Sequence, residues 1–139
     1  MTAAVGSGFL KRDDNLSVSD LLTRILLVDD EPELGEMMRI TLERAGYEVY
    51  LATNAAEAFG AFRSRVFDLA ILDEMMPGSK GHELAACLKG YEPSFPIILA
   101  SAFPQKAFPG VDHILLKPVA PEILRNLIVR ILPGYSEAA

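Results

Sequence analysis

The chain has 139 residues, half of them hydrophobic and 23% charged, with a formal net charge of −6. Its length supports one domain, because a chain of this size buries about two thirds of its unfolded surface, and its composition excludes a disordered chain. The acidic balance and the lack of any basic run argue against a phosphate-backbone surface, so direct nucleic-acid binding is not expected. The lone Cys87 rules out an internal disulfide and a thiolate zinc cluster and fits a reducing compartment. No apolar stretch approaches the roughly 18 residues of a membrane span, and no signal-peptide pattern opens the chain. A cytoplasmic protein without membrane association is the expectation.

Residues 1–23 are rich in Gly, Ser, Thr and Asp and read as a tail, with an apolar patch at Leu16, Val18, Leu21 and Leu22 that could form a docking turn. A domain is expected over residues 24–133, followed by a second tail, 134–139. Within the domain, Arg24 to Asp29 is a short apolar run; Leu34, Met37, Met38, Thr41, Leu42 and Ala45 then recur at helical spacing up to a Gly46 stop. Tyr47 to Ala52 alternates as a strand, and Asn54-Ala-Ala-Glu57 is a capping-box start for a helix carrying Ala58, Phe59 and Phe62. The stretch from Phe67 holds a third strand, an apolar run from Leu69 to Leu72 that stops on Asp73 ahead of a turn through Pro77-Gly78. A helix over Gly81 to Lys89 buries Leu84, Ala85 and Leu88. Pro96 to Ser101 and His113 to Lys117 are strands four and five, and Pro121 opens a last helix with Ile123, Leu124, Leu127, Ile128, Ile131 and Leu132.

Strands that alternate with helices and read as continuous apolar runs predict an α/β fold, a doubly wound five-stranded parallel sheet with helices on both faces. Ligands of such sheets bind at the carboxyl ends of the strands. Polar residues stand at four of those ends: Asp29 and Asp30, Asp73, Ser101, and Lys117. Three converging carboxylates repel unless a cation joins them, and a hard, oxygen-seeking ion such as Mg²⁺ removes the conflict. With a lysine and a hydroxyl alongside to contact phosphoryl oxygens, the set suffices for phosphoryl transfer to a carboxylate. Read singly, Asp29-Asp30 is an acidic helix start, Asp73 a turn residue, Ser101 a loop serine and Lys117 a solvated amine; together they outrank those readings. Glu74 is expected at the pocket rim, His82 and His113 on the surface or rim, Cys87 in the core, and Met75 and Met76 as packing residues.

With Ile25-Leu-Leu-Val-Asp-Asp-Glu31, Asp68-Leu-Ala-Ile-Leu-Asp-Glu-Met-Met-Pro-Gly78 followed by Gly81, Pro96-Ile-Ile-Leu-Ala-Ser-Ala102 and Leu116-Lys-Pro118, the chain resembles the response-regulator receiver (CheY-like) domains of two-component phosphorelay signalling. The resemblance implies a flavodoxin-like strand order 2-1-3-4-5 and a Mg²⁺-dependent phosphoacceptor, not an enzyme. It makes Asp73 the phosphorylated side chain, Asp30 a direct metal ligand, Asp29 a ligand directly or through water, and the Met75 backbone carbonyl a further ligand. Lys117 would pair with the acyl phosphate, Ser101 would swing toward it as the switch, and Lys117-Pro118 would be cis. The implied partner is a histidine kinase or histidine phosphotransfer protein; the downstream partner and the oligomeric state stay open.

The family pattern breaks after Ser101. Fifteen residues separate it from Lys117, and Pro104, Pro109 and Gly110 deny them a standard helix, so helix four is expected to be short or irregular. The aromatic switch residue of the family falls on Ile114. Phosphorylation is instead expected to reorder the segment from Ala102 to Asp112, with Phe103 or Phe108 as its apolar reporter. Met75 and Phe103 offer nothing to position a hydrolytic water, so slow self-dephosphorylation is expected. The chain reads as a stand-alone regulator, a phosphate shuttle or sink, or a receiver from a larger protein. Two rivals are an aspartate-nucleophile phosphohydrolase, which usually carries an Asp where Met75 stands, and a phosphorylation-independent interaction module, in which the carboxylates would ordinarily be lost.

Overall fold

Apolar runs without polar alternation need helices on both faces of a sheet. In the computed structural model, which describes residues 22–103 and 107–132, those runs become the central strands. In chain order the elements are β1 (Arg24–Val28), α1 (Pro32–Arg44), β2 (Glu48–Ala52), α2 (Ala55–Ser64), β3 (Leu69–Asp73), β4 (Met75–Met76), β5 (Ser79–Lys80), α3 (Gly81–Tyr91), β6 (Ile97–Ser101), β7 (His113–Leu116) and α4 (Pro121–Ile131). The five longer strands form a parallel sheet of order β2-β1-β3-β6-β7, as expected. The tiny strands β4 and β5 make a separate antiparallel hairpin. The expected N-terminal tail up to residue 21, with Leu16, Val18 and Leu21 of its proposed docking turn, and the whole of the expected tail 134–139 lie outside the described residues. No helix of those described is long and apolar enough to cross a membrane.

Side-chain alternation divides the central strands between two cores. Leu26, Val28, Ala70, Leu72, Ile97 and Leu99 pack with Ala58 and Ala61 of α2 and Leu84 and Leu88 of α3. Ile25, Leu27, Leu69, Ile71 and Ile98 pack with Leu42 of α1 and Leu124, Leu127 and Ile128 of α4. A fully buried Leu or Ile contributes about 1.5–3 kcal/mol, so the layers are fixed by these three strands. At the α2 start Asn54 caps the helix as expected, accepting the Glu57 N–H at 2.8 Å, but Glu57 reaches past Asn54 to the Thr53 N–H at 2.7 Å, so the reciprocal half of the box falls one residue earlier. Cys87 departs from expectation: α3 buries Leu84, Ala85 and Leu88, which leaves Cys87 exposed on another face. Leu34 and Met37 of α1 and Ile123 of α4 also face solvent.

Among the described residues between β6 and β7 none is helical. Asp112 fastens that connection. Its carboxylate accepts the Ile97 N–H at 2.8 Å and the Lys89 ammonium at 2.9 Å, and its own N–H donates to the Ile97 carbonyl at 2.9 Å. An anchor built from one side chain thus sets β7 in register beside β6.

Candidate functional site

Parallel pairing of β1 with β3 puts Val28 opposite Leu72, so Asp29 and Asp73 leave the sheet side by side. Both are nearly shut off from water, at 2% and 4% exposure. Asp30 follows, and each of the three carboxylates brings an oxygen within 4.8 Å of the others. Lys117, just past β7, extends its ammonium to Asp73 Oδ1 at 3.0 Å, with Glu31 Oε1 next at 3.8 Å. The Lys117 N–H donates to the Ser101 carbonyl at 2.7 Å, which ties the ends of β6 and β7 together. Ser101 is buried, its hydroxyl oxygen accepting the Phe103 N–H at 3.3 Å. The Lys117-Pro118 bond is cis.

The β4–β5 hairpin closes the other side of the site. It turns through Pro77-Gly78, where the Gly78 φ of +79° meets the demand of a type II turn. Met75 stands at its start, side chain outward and N–H donating to the Asp73 carboxylate. Gly81 then brings α3 against the end of β3: a Cβ there would lie 2.4 Å from the Asp73 carbonyl oxygen and 2.7 Å from Leu99 Cδ1. Only a hydrogen fits.

Burial dominates the electrostatics of the site. Burial raises the Asp29 carboxyl above the ordinary carboxylate range, outweighing the Glu31 N–H, which donates to it at 2.9 Å, and the Lys117 ammonium. Burial likewise raises Asp73 despite its hydrogen bond from Lys117. For Lys117 burial works against the charge, but the Asp73 hydrogen bond and the surrounding carboxylates prevail and hold it above the usual lysine value. An all-oxygen donor set held at an electrostatic disadvantage fits a hard divalent cation such as Mg²⁺.

Glu74 corrects an expectation. It is not a rim residue but 5% exposed and turned toward α3, because the alternation of β3 carries one residue past its end, where the Glu74 N–H still donates to the Ala100 carbonyl. Its carboxylate accepts the His82 N–H at 2.9 Å and meets His82 Nδ1 at 2.7 Å, and the imidazole stacks on Phe108. The signal in the sequence was the alternation itself: Leu72 and Glu74 share one face, Ile71 and Asp73 the other.

The family model for the response regulator receiver domain matches residues 25–129. Among curated proteins, the phosphate regulon transcriptional regulatory protein PhoB of Pseudomonas aeruginosa is 38% identical, over 82% of this chain and 55% of its own length. The DNA-binding response regulator MtrA of Mycolicibacterium smegmatis is 31% identical, over 84% of this chain and 54% of its own. The chain thus spans about half the length of the curated relatives it matches. Among solved structures, response regulator protein TrrA from Thermotoga maritima, in complex with Mg(2+)-BeF, is 33% identical with a TM-score of 0.75, covering 80% of this chain and 100% of that one. A CheY-like receiver domain protein from Methanospirillum hungatei is 28% identical with a TM-score of 0.77, covering 85% and 99%.

One sequence expectation falls here. Direct nucleic-acid binding was set aside on net charge, yet relatives of this chain are transcriptional regulators, one of them named as DNA-binding. A charge balance describes the residues counted and does not exclude that activity for the proteins to which they are related, so the exclusion does not stand. The charge cluster at the strand ends, the parallel order β2-β1-β3-β6-β7 and these matches agree: the chain belongs to the response regulator receiver family of two-component signalling.

Proposed function

We infer that the phosphoryl group is accepted on Asp73, within a unit spanning residues 24–133. The observation that carries this is the meeting of the Asp29, Asp30 and Asp73 carboxylates within 4.8 Å, with the Lys117 ammonium 3.0 Å from Asp73. An Asp73 carboxylate oxygen attacks the phosphorus of a phosphohistidine on a histidine kinase or histidine phosphotransfer protein. The phosphorus–nitrogen bond breaks and the imidazole leaves. Asp29, Asp30, Asp73 and the Met75 carbonyl are the groups that would hold Mg²⁺, which when bound supplies positive charge to the phosphoryl oxygens. Lys117 neutralises the acyl phosphate, and Ser101 donates its hydroxyl hydrogen to it. The side chains of Met75 and Phe103, 53% and 63% exposed, carry no group that orients a water, which supports slow self-dephosphorylation and the reading of the chain as a signal carrier.

Incubation with acetyl phosphate and Mg²⁺, read by intact mass, tests this. The chain gains one phosphoryl group, and Asp73→Asn gains none. A gain retained in Asp73→Asn removes Asp73 as the acceptor.

A further inference from the structure

Two neighbouring side chains part company at the end of β3, Asp73 toward the carboxylate cluster and Glu74 toward α3. We propose that Glu74, His82 and Phe108 form a relay that carries the state of Asp73 to residues 107–112, ahead of β7. The proposal rests on the reading of Asp73 as phosphoacceptor.

Glu74 cannot shift alone. Its N–H donates to the Ala100 carbonyl and its carbonyl accepts the Gly81 N–H, each at 2.9 Å. Its carboxylate grips both the backbone N–H and the ring Nδ1 of His82, in the first turn of α3. Displacement of the β3 end, when Asp73 gains bulk and charge, therefore pulls on the imidazole. That ring lies flat against Phe108, centroids 4.1 Å apart and planes within 7°. Phe108 is half-buried against the α2–α3 core, and its carbonyl accepts the Val111 N–H at 3.1 Å, one residue before the Asp112 anchor. A buried carboxylate is expensive without a matched partner, so the pair at 74 and 82 is a specific device where two apolar residues would pack at lower cost. The contacts run without a break from the site to residues 107–112, a physical route along which coupling can pass.

Beryllofluoride with Mg²⁺, a phosphoryl mimic, serves as the probe. Fluorine NMR reads its binding and amide hydrogen exchange reads residues 107–112. In the unmodified chain, binding changes exchange in that segment by about fivefold or more, the low end of ordinary coupling. His82→Phe keeps a ring against Phe108 but loses the link to Glu74; Phe108→Leu keeps the link and loses the stack. Both variants, checked for fold by near-ultraviolet circular dichroism, bind the mimic, and their ratio of exchange rates falls toward one. A wild-type ratio in either variant overturns the relay. So does unchanged exchange in the unmodified chain with the mimic bound, which leaves the phosphoacceptor reading standing. No bound fluorine signal in the unmodified chain overturns both.

Discussion

The acidic half of the site and its basic half are supported in different ways. Asp29, Asp30 and Asp73 leave strands β1 and β3, which are flanked by neighbours on both edges and covered on both faces. Lys117 leaves β7, an edge strand with His113 and Leu116 exposed, whose register depends on Asp112 and on the bond to Ser101. The carboxylates are therefore set by core packing, and the ammonium by a few polar contacts at the margin. The difference teaches that the halves can be disturbed separately, the first through packing and the second through hydrogen bonds.

Removing the basic half outright gives the largest effect. Lys117→Ala slows phosphorylation from acetyl phosphate by about 10²–10³-fold, the usual loss when one charge-stabilising donor goes, as an intact-mass time course would record. Gly81→Ala attacks the acidic half through packing. With backbone 2.4 Å from the new Cβ, α3 must move off β3, costing about 1–3 kcal/mol in denaturant unfolding. Asp112→Ala loosens the basic half, losing about 1.5 kcal/mol and a few degrees of melting temperature, with the acidic cluster intact.

The smallest effect has the opposite sign. The Asp29 pKa is raised in the fold, so its stabilising contribution is full below the unfolded value of 3.8 and is lost as pH rises through the folded one. At neutral pH the charged form is a burden. Asp29→Asn therefore melts above the unmodified chain at pH 7 without divalent ions, and the gap closes as pH falls into the carboxylate range. Equal melting temperatures at pH 7 would show that the burial is compensated. Mg²⁺ narrows the same gap from the other side, by stabilising the unmodified chain more than the variant, which keeps Asp30 and Asp73 but lacks one carboxylate.

The strands were legible because burial on both faces leaves no room for polar residues, and the strand ends because polarity returns there abruptly. Asp29, Asp30, Asp73 and Lys117 could be read from that contrast alone. Glu74 could not, since it adjoins Asp73 in sequence and only alternation about β3 separates them. Cys87 was misplaced because hydrophobicity suggested the core, while the burial of Leu84, Ala85 and Leu88 points α3 another way. Asp112 gave no signal: nothing in a loop aspartate announces that it will hold Ile97 and Lys89 at once.

The strand order also bears on how the chain is made. In chain order, β2 lies beside β1 on one side, β3 lies beside it on the other, and β6 and β7 extend the sheet outward from there. Each newly synthesised strand docks on a margin already exposed, and none has to wedge between two that are paired. A nascent chain can thus zip up in the order of translation, keeping unpaired edges short-lived where aggregation would otherwise start.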